Sequence, residues 1–175
     1  LDKIPAEWIS DSLSSSDQII LYFHGGAYFA GSINTHRDFA AQLVKATGFR
    51  LLLVDYRLAP ENPYPAAVED ATAAYRWLLK QGFSPSKIII AGDSAGGGLS
   101  LATLVNLRDA GDPLPTGVVC ISPWTDLALT GDSFQHKAKT DFICTPNMLR
   151  NSALMYIGTN DPRSPLISPL YADLS

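Results

Sequence analysis

The sequence predicts an α/β protein whose mostly parallel sheet carries helices on both faces. Short apolar runs that suit buried strands alternate with amphipathic segments of helical length between residues 18 and 122. Strands and helices that alternate in this way form parallel sheets with crossover helices. Of the 175 residues, 46% are hydrophobic and 17% charged, which is typical of one packed domain rather than a disordered chain.

Two strands and two helices are predicted in the front half of the chain. Thr35 and Asp38 resemble a capping box, and Gly48 suits the end of the helix that they begin. Pro65 lies where helices favour proline, near a first turn. The predicted elements are a connector over 1–17, a strand over 18–23, a helix over 35–47, a strand over 50–55 and a helix over 66–80.

The back half continues this alternation as far as Asp126 and then changes. Residues 127–145 are polar and irregular, and Thr145 with Pro146 suits the cap and first residue of one more helix. Residues 161–175 contain too many prolines for a helix or a central strand. The predicted elements are a strand over 87–91, a helix over 99–110, a strand over 117–122 and a helix over 146–157.

The segment Gly92-Asp93-Ser94-Ala95-Gly96 places a serine between two glycines where a strand turns into a helix. This pattern predicts a nucleophile elbow, which holds the serine hydroxyl out at the end of the sheet. A Cβ at Gly92 or Gly96 is expected to collide where the strand and helix backbones meet. A helix cap by Ser94 or Asp93 would explain the serine but not the glycines. A phosphate-binding loop would need a lysine that is absent here.

A glycine loop, His24-Gly25-Gly26-Ala27, follows the first predicted strand. Small residues let backbone amides approach a carbonyl oxygen, and the amide after the nucleophile, that of Ala95, is a second source of donors. Alone, Gly25 and Gly26 would indicate an ordinary turn. Together with the serine segment, they indicate an oxyanion hole.

Charge and cysteine content narrow the class of protein further. The formal net charge of −4 gives no basis for binding nucleic acid or an anionic membrane surface. No apolar run approaches the roughly 20 residues of a membrane span. Cys120 and Cys144 are expected to pack as small hydrophobic side chains rather than form a disulfide, which favours a reducing, cytoplasmic compartment.

Two more motifs accompany the glycine loop and the serine segment, namely Asp55-Tyr56-Arg57-Leu58-Ala59-Pro60-Glu61 and Ser122-Pro123-Trp124-Thr125-Asp126. As a set, the four motifs resemble the hormone-sensitive-lipase-like group of α/β-hydrolase esterases, and the likeness runs from about Pro5 to Ser175. The resemblance implies an α/β-hydrolase fold from which some N-terminal and C-terminal strands are missing. It also implies hydrolysis of carboxylic esters by a Ser-His-Asp triad, without a cofactor.

The resemblance also implies roles for individual residues. Ala27 stands where many members of the group have a third glycine, and its amide contributes to the oxyanion hole. His24 is expected to organise the loop rather than to act as the base. The implied site residues are Ser94 as nucleophile, Gly25, Gly26 and Ala95 as oxyanion donors, and His24, Gly92, Asp93 and Gly96 as supporting residues, with no metal ligand.

The aspartate and histidine of the triad are expected beyond Ser175, because in this group they follow the segment that resembles Ser168-Pro169-Leu170-Tyr171. An exposed apolar edge on the strand 117–122 would agree with a chain that is part of a longer hydrolase. His36 and His136 are expected to be solvated. The implied division of the chain is a hydrolase core over 1–126, a lid over 127–160 and a return segment over 161–175.

Two functions suit this scaffold. The first is hydrolysis of short- to medium-chain acyl esters, with Tyr28, Phe29 and Phe142 either lining the acyl pocket or packing in the core. The alternative is a non-catalytic small-molecule-binding protein, as in the plant gibberellin receptors that resemble this group. A third hypothesis is a short chain whose site is completed by another subunit. The expected partner is a small-molecule ester, and monomer and homodimer both stay open.

Overall fold

The fold is a five-stranded sheet with helices on both faces, seen in a computed structural model that describes residues 4–12 and 17–174. The strands are β1 (Ala6–Ile9), β2 (Ile19–Phe23), β3 (Arg50–Val54), β4 (Ile88–Asp93) and β5 (Gly117–Ile121). The helices are α1 (Ile33–Thr47), α2 (Ala66–Lys80), α3 (Ala95–Asp109), α4 (Ser133–His136) and α5 (Pro146–Ile157), with 3₁₀ turns at Pro85–Lys87 and Pro169–Tyr171.

The strand order is β1-β3-β2-β4-β5, and every neighbouring pair except β1 with β3 is parallel. β2 and β4 are adjacent, and their last paired residues are Phe23 and Gly92. Loops that leave the carboxyl ends of neighbouring parallel strands meet at one edge of the sheet, where ligands bind in open α/β folds. The topology therefore brings the glycine loop and the serine segment together, and it confirms the predicted mostly parallel α/β architecture.

Two apolar layers hold the helices to the sheet, and alternate residues of each strand supply them. On one face, Ala40 and Val44 of α1 pack against side chains of β2 and β3. On the other face, α2 and α3 cover a larger layer that includes Ile19, Leu21 and Phe23. The apolar face of α2 is fully buried, and its residues are Ala67, Ala71, Ala74 and Leu78.

Two predictions about the front of the chain are wrong in detail. Residues 6–9 are a strand rather than part of a connector, because they pair antiparallel with β3. Helix α1 begins at Ile33, two residues before the predicted start, since Ser32 is its cap and forms the capping box with Thr35 rather than Thr35 with Asp38. The serine cluster at 14–16 lies outside the described residues.

The chain after β5 folds back on the core rather than leaving it. Helix α5 begins after the Thr145 cap, as predicted. The Ser168 hydroxyl accepts a hydrogen bond from the Leu127 amide at 2.8 Å, and Ile167 is fully buried. Within the described residues, β5 is an outer strand of the sheet, with Val119 51% exposed. This agrees with the apolar edge predicted for that strand.

The crowding around Gly96 gives a stability prediction. A Cβ on Gly96 would lie 2.0 Å from the Phe23 carbonyl oxygen, whereas the change to alanine in a helix normally stabilises by about 1 kcal/mol. Because the clash is with backbone, Gly96→Ala is expected to lower the free energy of unfolding by about 3 kcal/mol or more. Urea unfolding of the full-length protein measures this change.

Gly117→Ala is the matched control, because a Cβ at Gly117 meets nothing within 4 Å. Its free energy of unfolding should stay within about 1 kcal/mol of the wild type. A Gly96→Ala variant as stable as the wild type would contradict the close approach of the backbones.

Candidate active site

Ser94 links β4 to α3 in a strained backbone conformation, with φ of 50° and ψ of −118°. Its backbone is fixed on both sides, since its amide donates to the Ile121 carbonyl at 2.9 Å and its carbonyl accepts from the Trp124 amide at 2.8 Å. The side chain caps no helix amide, so a helix-cap role for Ser94 is wrong. Strain of this kind at a serine between strand and helix is the geometry of a nucleophile elbow.

The glycines around Ser94 are required by close backbone contacts, as predicted. A Cβ on Gly92 would lie 2.4 Å from the carbonyl carbon of Gly96, inside the elbow itself. A Cβ on Gly98 would lie 2.1 Å from the Trp124 carbonyl oxygen. The first turn of α3 therefore packs with its bare backbone against the segment after β5 as well as the end of β2.

The glycine loop after β2 forms a tight turn above this elbow. The Gly26 carbonyl accepts from the amides of Phe29 and Ala30, at 3.1 and 2.9 Å. Ala27 has φ of 52°, in the left-handed region. In the part of the chain that the structure describes, no hydrogen bond uses the amides of Gly26, Ala27 or Ala95. These three amides are thus available to an oxyanion.

The amide of Gly25, by contrast, is already engaged. It donates to Oδ1 of Asp93, the residue before Ser94, at 2.9 Å. The amide that was predicted to be an oxyanion donor therefore already has a partner within the protein. This leaves Ala27, the residue in place of a third glycine, as the second unengaged amide of the loop beside Gly26. Sequence reasoning missed this contact because only the fold places the Asp93 carboxylate against Gly25.

Asp93 accepts further donors at the same oxygen. The Tyr22 hydroxyl donates to Oδ1 at 2.9 Å, and Nε2 of His36 lies 3.4 Å from it. Burial alone would raise the pKa of the Asp93 carboxyl, but the donors from His36, Tyr22 and Gly25 lower it below its ordinary value. His36 was expected to be solvated, which is wrong: its side chain is only 18% exposed and faces Asp93.

His24 is fully buried beneath the loop that it begins. Its Nδ1 must donate to the Gly25 carbonyl at 2.8 Å, because a carbonyl oxygen only accepts. The ring stacks on Tyr56 at 4.4 Å between centroids, and the Tyr56 hydroxyl donates to the His24 carbonyl at 2.7 Å. Burial lowers the pKa of the His24 imidazole, which keeps the ring neutral. These contacts fit the predicted role of His24 in organising the loop.

Asp55 and Arg57 of the second motif have structural partners. Asp55 accepts from the amide of Ile33 at 3.0 Å, at the start of α1. Arg57 forms a two-armed ion pair with the buried Asp70, with its Nη2 2.8 Å from Asp70 Oδ1. The motif therefore joins the end of β3 to the helices on both sides of it.

The aromatic side chains proposed for the acyl pocket divide into two kinds. Tyr28 is buried and stacks on Tyr156 at 3.8 Å, so it belongs to the core. Phe29 is 39% and Phe142 89% exposed.

Cys120 and Cys144 are free thiols. Both were expected to pack as small hydrophobic side chains, but Cys144 is exposed.

No triad is assembled around Ser94 within the described residues. No hydrogen bond or ion pair in this part of the chain joins Ser94 to His24, His36 or His136. The Asp126 carboxylate accepts hydrogen bonds from the hydroxyls of Thr130 and Tyr171.

Across residues 4–12 and 17–174, no group of three His, Cys, Asp or Glu side chains could hold a metal ion. Among the described residues, none of the helices combines the length and the hydrophobicity of a transmembrane span.

The lowered pKa of Asp93 gives a pH prediction. A carboxyl whose pKa is lower in the folded state stabilises the fold above its unfolded pKa of about 4, and this contribution is lost as pH falls through the folded pKa. Asp93→Asn should therefore cost about 1–2 kcal/mol of unfolding free energy at pH 7. The difference from wild type should shrink below about pH 4.

Urea unfolding between pH 3 and pH 7 measures this difference. Asp38→Asn, an exposed change on α1, is the control, with less than about 0.5 kcal/mol expected at every pH. A cost for Asp93→Asn that stays constant from pH 7 to pH 3 would contradict the ionised, hydrogen-bonded state of Asp93.

The chain matches known proteins over most of its length. Residues 20–175 match a family with the α/β-hydrolase fold. The chain is 47% identical over 170 residues to an acetyl-hydrolase of Streptomyces hygroscopicus. The alignment covers 97% of this chain and 56% of that protein. It is 40% identical over 163 residues to an esterase of Acinetobacter venetianus, which covers 92% of this chain and 54% of that protein.

Solved structures agree with these relatives. A crystal structure of an esterase from the bacterial hormone-sensitive lipase family superposes with a TM-score of 0.96 at 51% identity, covering 98% of this chain and 58% of that one. The chain thus spans a little over half the length of the proteins that it matches. With its four motifs at the carboxyl edge of a parallel sheet, the chain belongs to the α/β-hydrolase-fold family, in the hormone-sensitive-lipase-like group of esterases.

Proposed function

We propose that the protein is a carboxylic ester hydrolase that acts on short- to medium-chain acyl esters through Ser94. The observation that carries this proposal is a serine in a strained elbow, its hydroxyl not engaged in capping, beside a loop with unengaged amides. The Gly25–Asp93 hydrogen bond ties that loop to the residue before Ser94. Ser94 is half-buried, and acyl transfer needs such a combination of an unengaged nucleophile and preorganised donors.

The reaction follows from the roles of these groups. The Ser94 oxygen attacks the acyl carbon and gives its proton to a general base, while the carbonyl oxygen gains negative charge. The amides of Gly26, Ala27 and Ala95 would donate to this oxyanion, each contributing about 3 kcal/mol in the transition state. The tetrahedral intermediate then collapses: the bond to the alcohol breaks, the alcohol takes the proton from the base, and the acyl group stays as an ester on Ser94. Water gives a proton to the same base and attacks this ester, which releases the acid and restores the Ser94 hydroxyl. We assign the base to a histidine of the full-length protein, oriented by an aspartate.

The relatives support the substrate class. The Streptomyces protein is named an acetyl-hydrolase. A crystal structure of EstE5 soaked with p-nitrophenyl butyrate matches the chain with a TM-score of 0.93 at 46% identity, covering all of this chain and 62% of that one. Both names point to short acyl groups, and small esters are therefore the first substrates to test.

The lid, compartment and assembly belong to the same proposal. We propose that residues 127–160 cover the acyl pocket, with Phe142 and Ile143, 89% and 81% exposed, as side chains that would gain burial on closure.

The two free thiols support a reducing, cytoplasmic compartment. A homodimer is the assembly that we propose to test, by light scattering of the full-length protein.

Replacing the nucleophile tests the function most simply. Ser94→Ala in the full-length protein should lower kcat for p-nitrophenyl butyrate by at least about 10⁴-fold. It should also abolish covalent labelling by a fluorophosphonate probe, because the reacting oxygen is gone. Ser86→Ala, an exposed serine away from the loop, is the control and should retain both activities.

Hydrolysis that survives Ser94→Ala would remove Ser94 from the mechanism. A wild-type protein that binds small esters saturably but neither hydrolyses them nor accepts the probe would support the binding-protein alternative instead.

A further inference from the structure

Three donors from three different elements converge on one oxygen of Asp93. Tyr22 near the end of β2, Gly25 in the glycine loop and His36 in α1 all face Oδ1. Asp93 itself is the last residue of β4, and its neighbour Ser94 begins the elbow. A carboxylate placed so close to a nucleophile, yet tied to the oxyanion loop, couples the two halves of the site.

The contact with Gly25 is close enough to fix the loop. Besides the 2.9 Å hydrogen bond to the amide, a Cβ on Gly25 would lie 2.2 Å from Asp93 Oδ2. The backbone at Gly25 thus lies directly on the carboxylate, and no side chain fits between them. The next two amides along the chain, those of Gly26 and Ala27, are the unengaged ones. Their position therefore follows from where the Asp93 carboxylate sits.

Tyr22 and His36 contact the same carboxylate oxygen that accepts from the Gly25 amide. The Tyr22 side chain is fully buried, and its hydroxyl has Asp93 as its partner. Nδ1 of His36 lies 2.8 Å from the Thr35 hydroxyl, which fixes the ring with Nε2 toward Asp93. Nε2 carries a proton toward the carboxylate when the Thr35 hydroxyl donates to Nδ1 instead of to the Ser32 carbonyl, 2.9 Å away, or when both ring nitrogens are protonated. His36 also lies 5.4 Å from the His24 ring, beneath the same loop.

We propose that His36 and Tyr22 are positioning residues of the ester-hydrolysing site, which act through Asp93 on the Gly25 amide to hold the Gly26 and Ala27 amides at the oxyanion. The inference rests on the proposed function and deepens it. Neither side chain touches the reacting atoms in this account. Both act by fixing the shape of the loop in the ground state, before charge develops on the substrate.

The expected effect is on kcat rather than on substrate binding. The amides stabilise charge that exists only in the transition state, so a displaced loop slows the reaction and leaves KM nearly unchanged. Loss of one oxyanion donor costs about 10²–10³ in kcat, and a misplacement of about 1 Å can cost about 10². Removing one support of Asp93 while the other remains should thus cost about 10–100-fold.

The test compares variants of the full-length protein on p-nitrophenyl butyrate. His36→Ala and Tyr22→Phe should each lower kcat about 10–100-fold with KM changed less than about threefold. His36→Gln should recover much of the loss, because its side-chain amide can donate toward Asp93. A trifluoromethyl ketone, which forms a tetrahedral adduct with the serine, should bind His36→Ala more weakly by the same factor as the loss in kcat. Gln42→Ala, an exposed change on α1, is the matched control and should match wild type.

Each outcome decides between explanations. Kcat within twofold of wild type for both His36→Ala and Tyr22→Phe would overturn the inference, and so would a loss carried by KM. A loss for His36→Ala as large as that for Ser94→Ala, with no recovery in His36→Gln, would make His36 the general base and also overturn it. If Ser94→Ala keeps its activity, the proposed function fails. If Ser94→Ala is inactive while the positioning variants are normal, this inference alone fails.

Discussion

The backbones of β2, β4 and α3 meet closer at the carboxyl edge of the sheet than any side chain would allow. A Cβ on Gly96 would lie 2.0 Å from the Phe23 carbonyl oxygen, and one on Gly92 would lie 2.4 Å from the Gly96 backbone. This close approach turns Ser94 into its strained conformation and brings the loop after β2 alongside it. Without it, α3 would start farther from the sheet, and the serine and the loop amides would not share one site.

A charged group joins the two motifs that this contact brings together. Asp93 belongs to the serine segment, and its carboxylate holds the Gly25 amide of the glycine loop. The loop then closes on itself through the Gly26 carbonyl, and the buried His24 supports it from below. Catalysis by preorganised donors requires a loop that does not reorganise during the reaction. The structure supplies that rigidity by burial, by stacking and by one ionised side chain.

Sequence reasoning reached the architecture because hydrophobic periodicity and glycine spacing are local signals. The helix over 66–80 and the need for glycine at positions 92 and 96 follow from such signals and are confirmed. Strand β1 was missed because four half-buried residues carry too short a pattern, and only pairing with β3 reveals it. The contacts of Gly25 and His36 with Asp93 were also out of reach. Both depend on Asp93, which is 68 residues from Gly25 in the chain and whose contacts only the tertiary fold determines.

A crystal structure of the full-length protein with a phosphonate bound covalently to Ser94 tests the central claim most directly. The phosphonyl oxygen stands in for the oxyanion of the tetrahedral intermediate. Our account predicts that it accepts hydrogen bonds from the amides of Gly26, Ala27 and Ala95, while the Gly25 amide stays on Asp93. A phosphonyl oxygen held by the Gly25 amide, with the Asp93 contact broken, or one turned away from the loop altogether, would contradict the account.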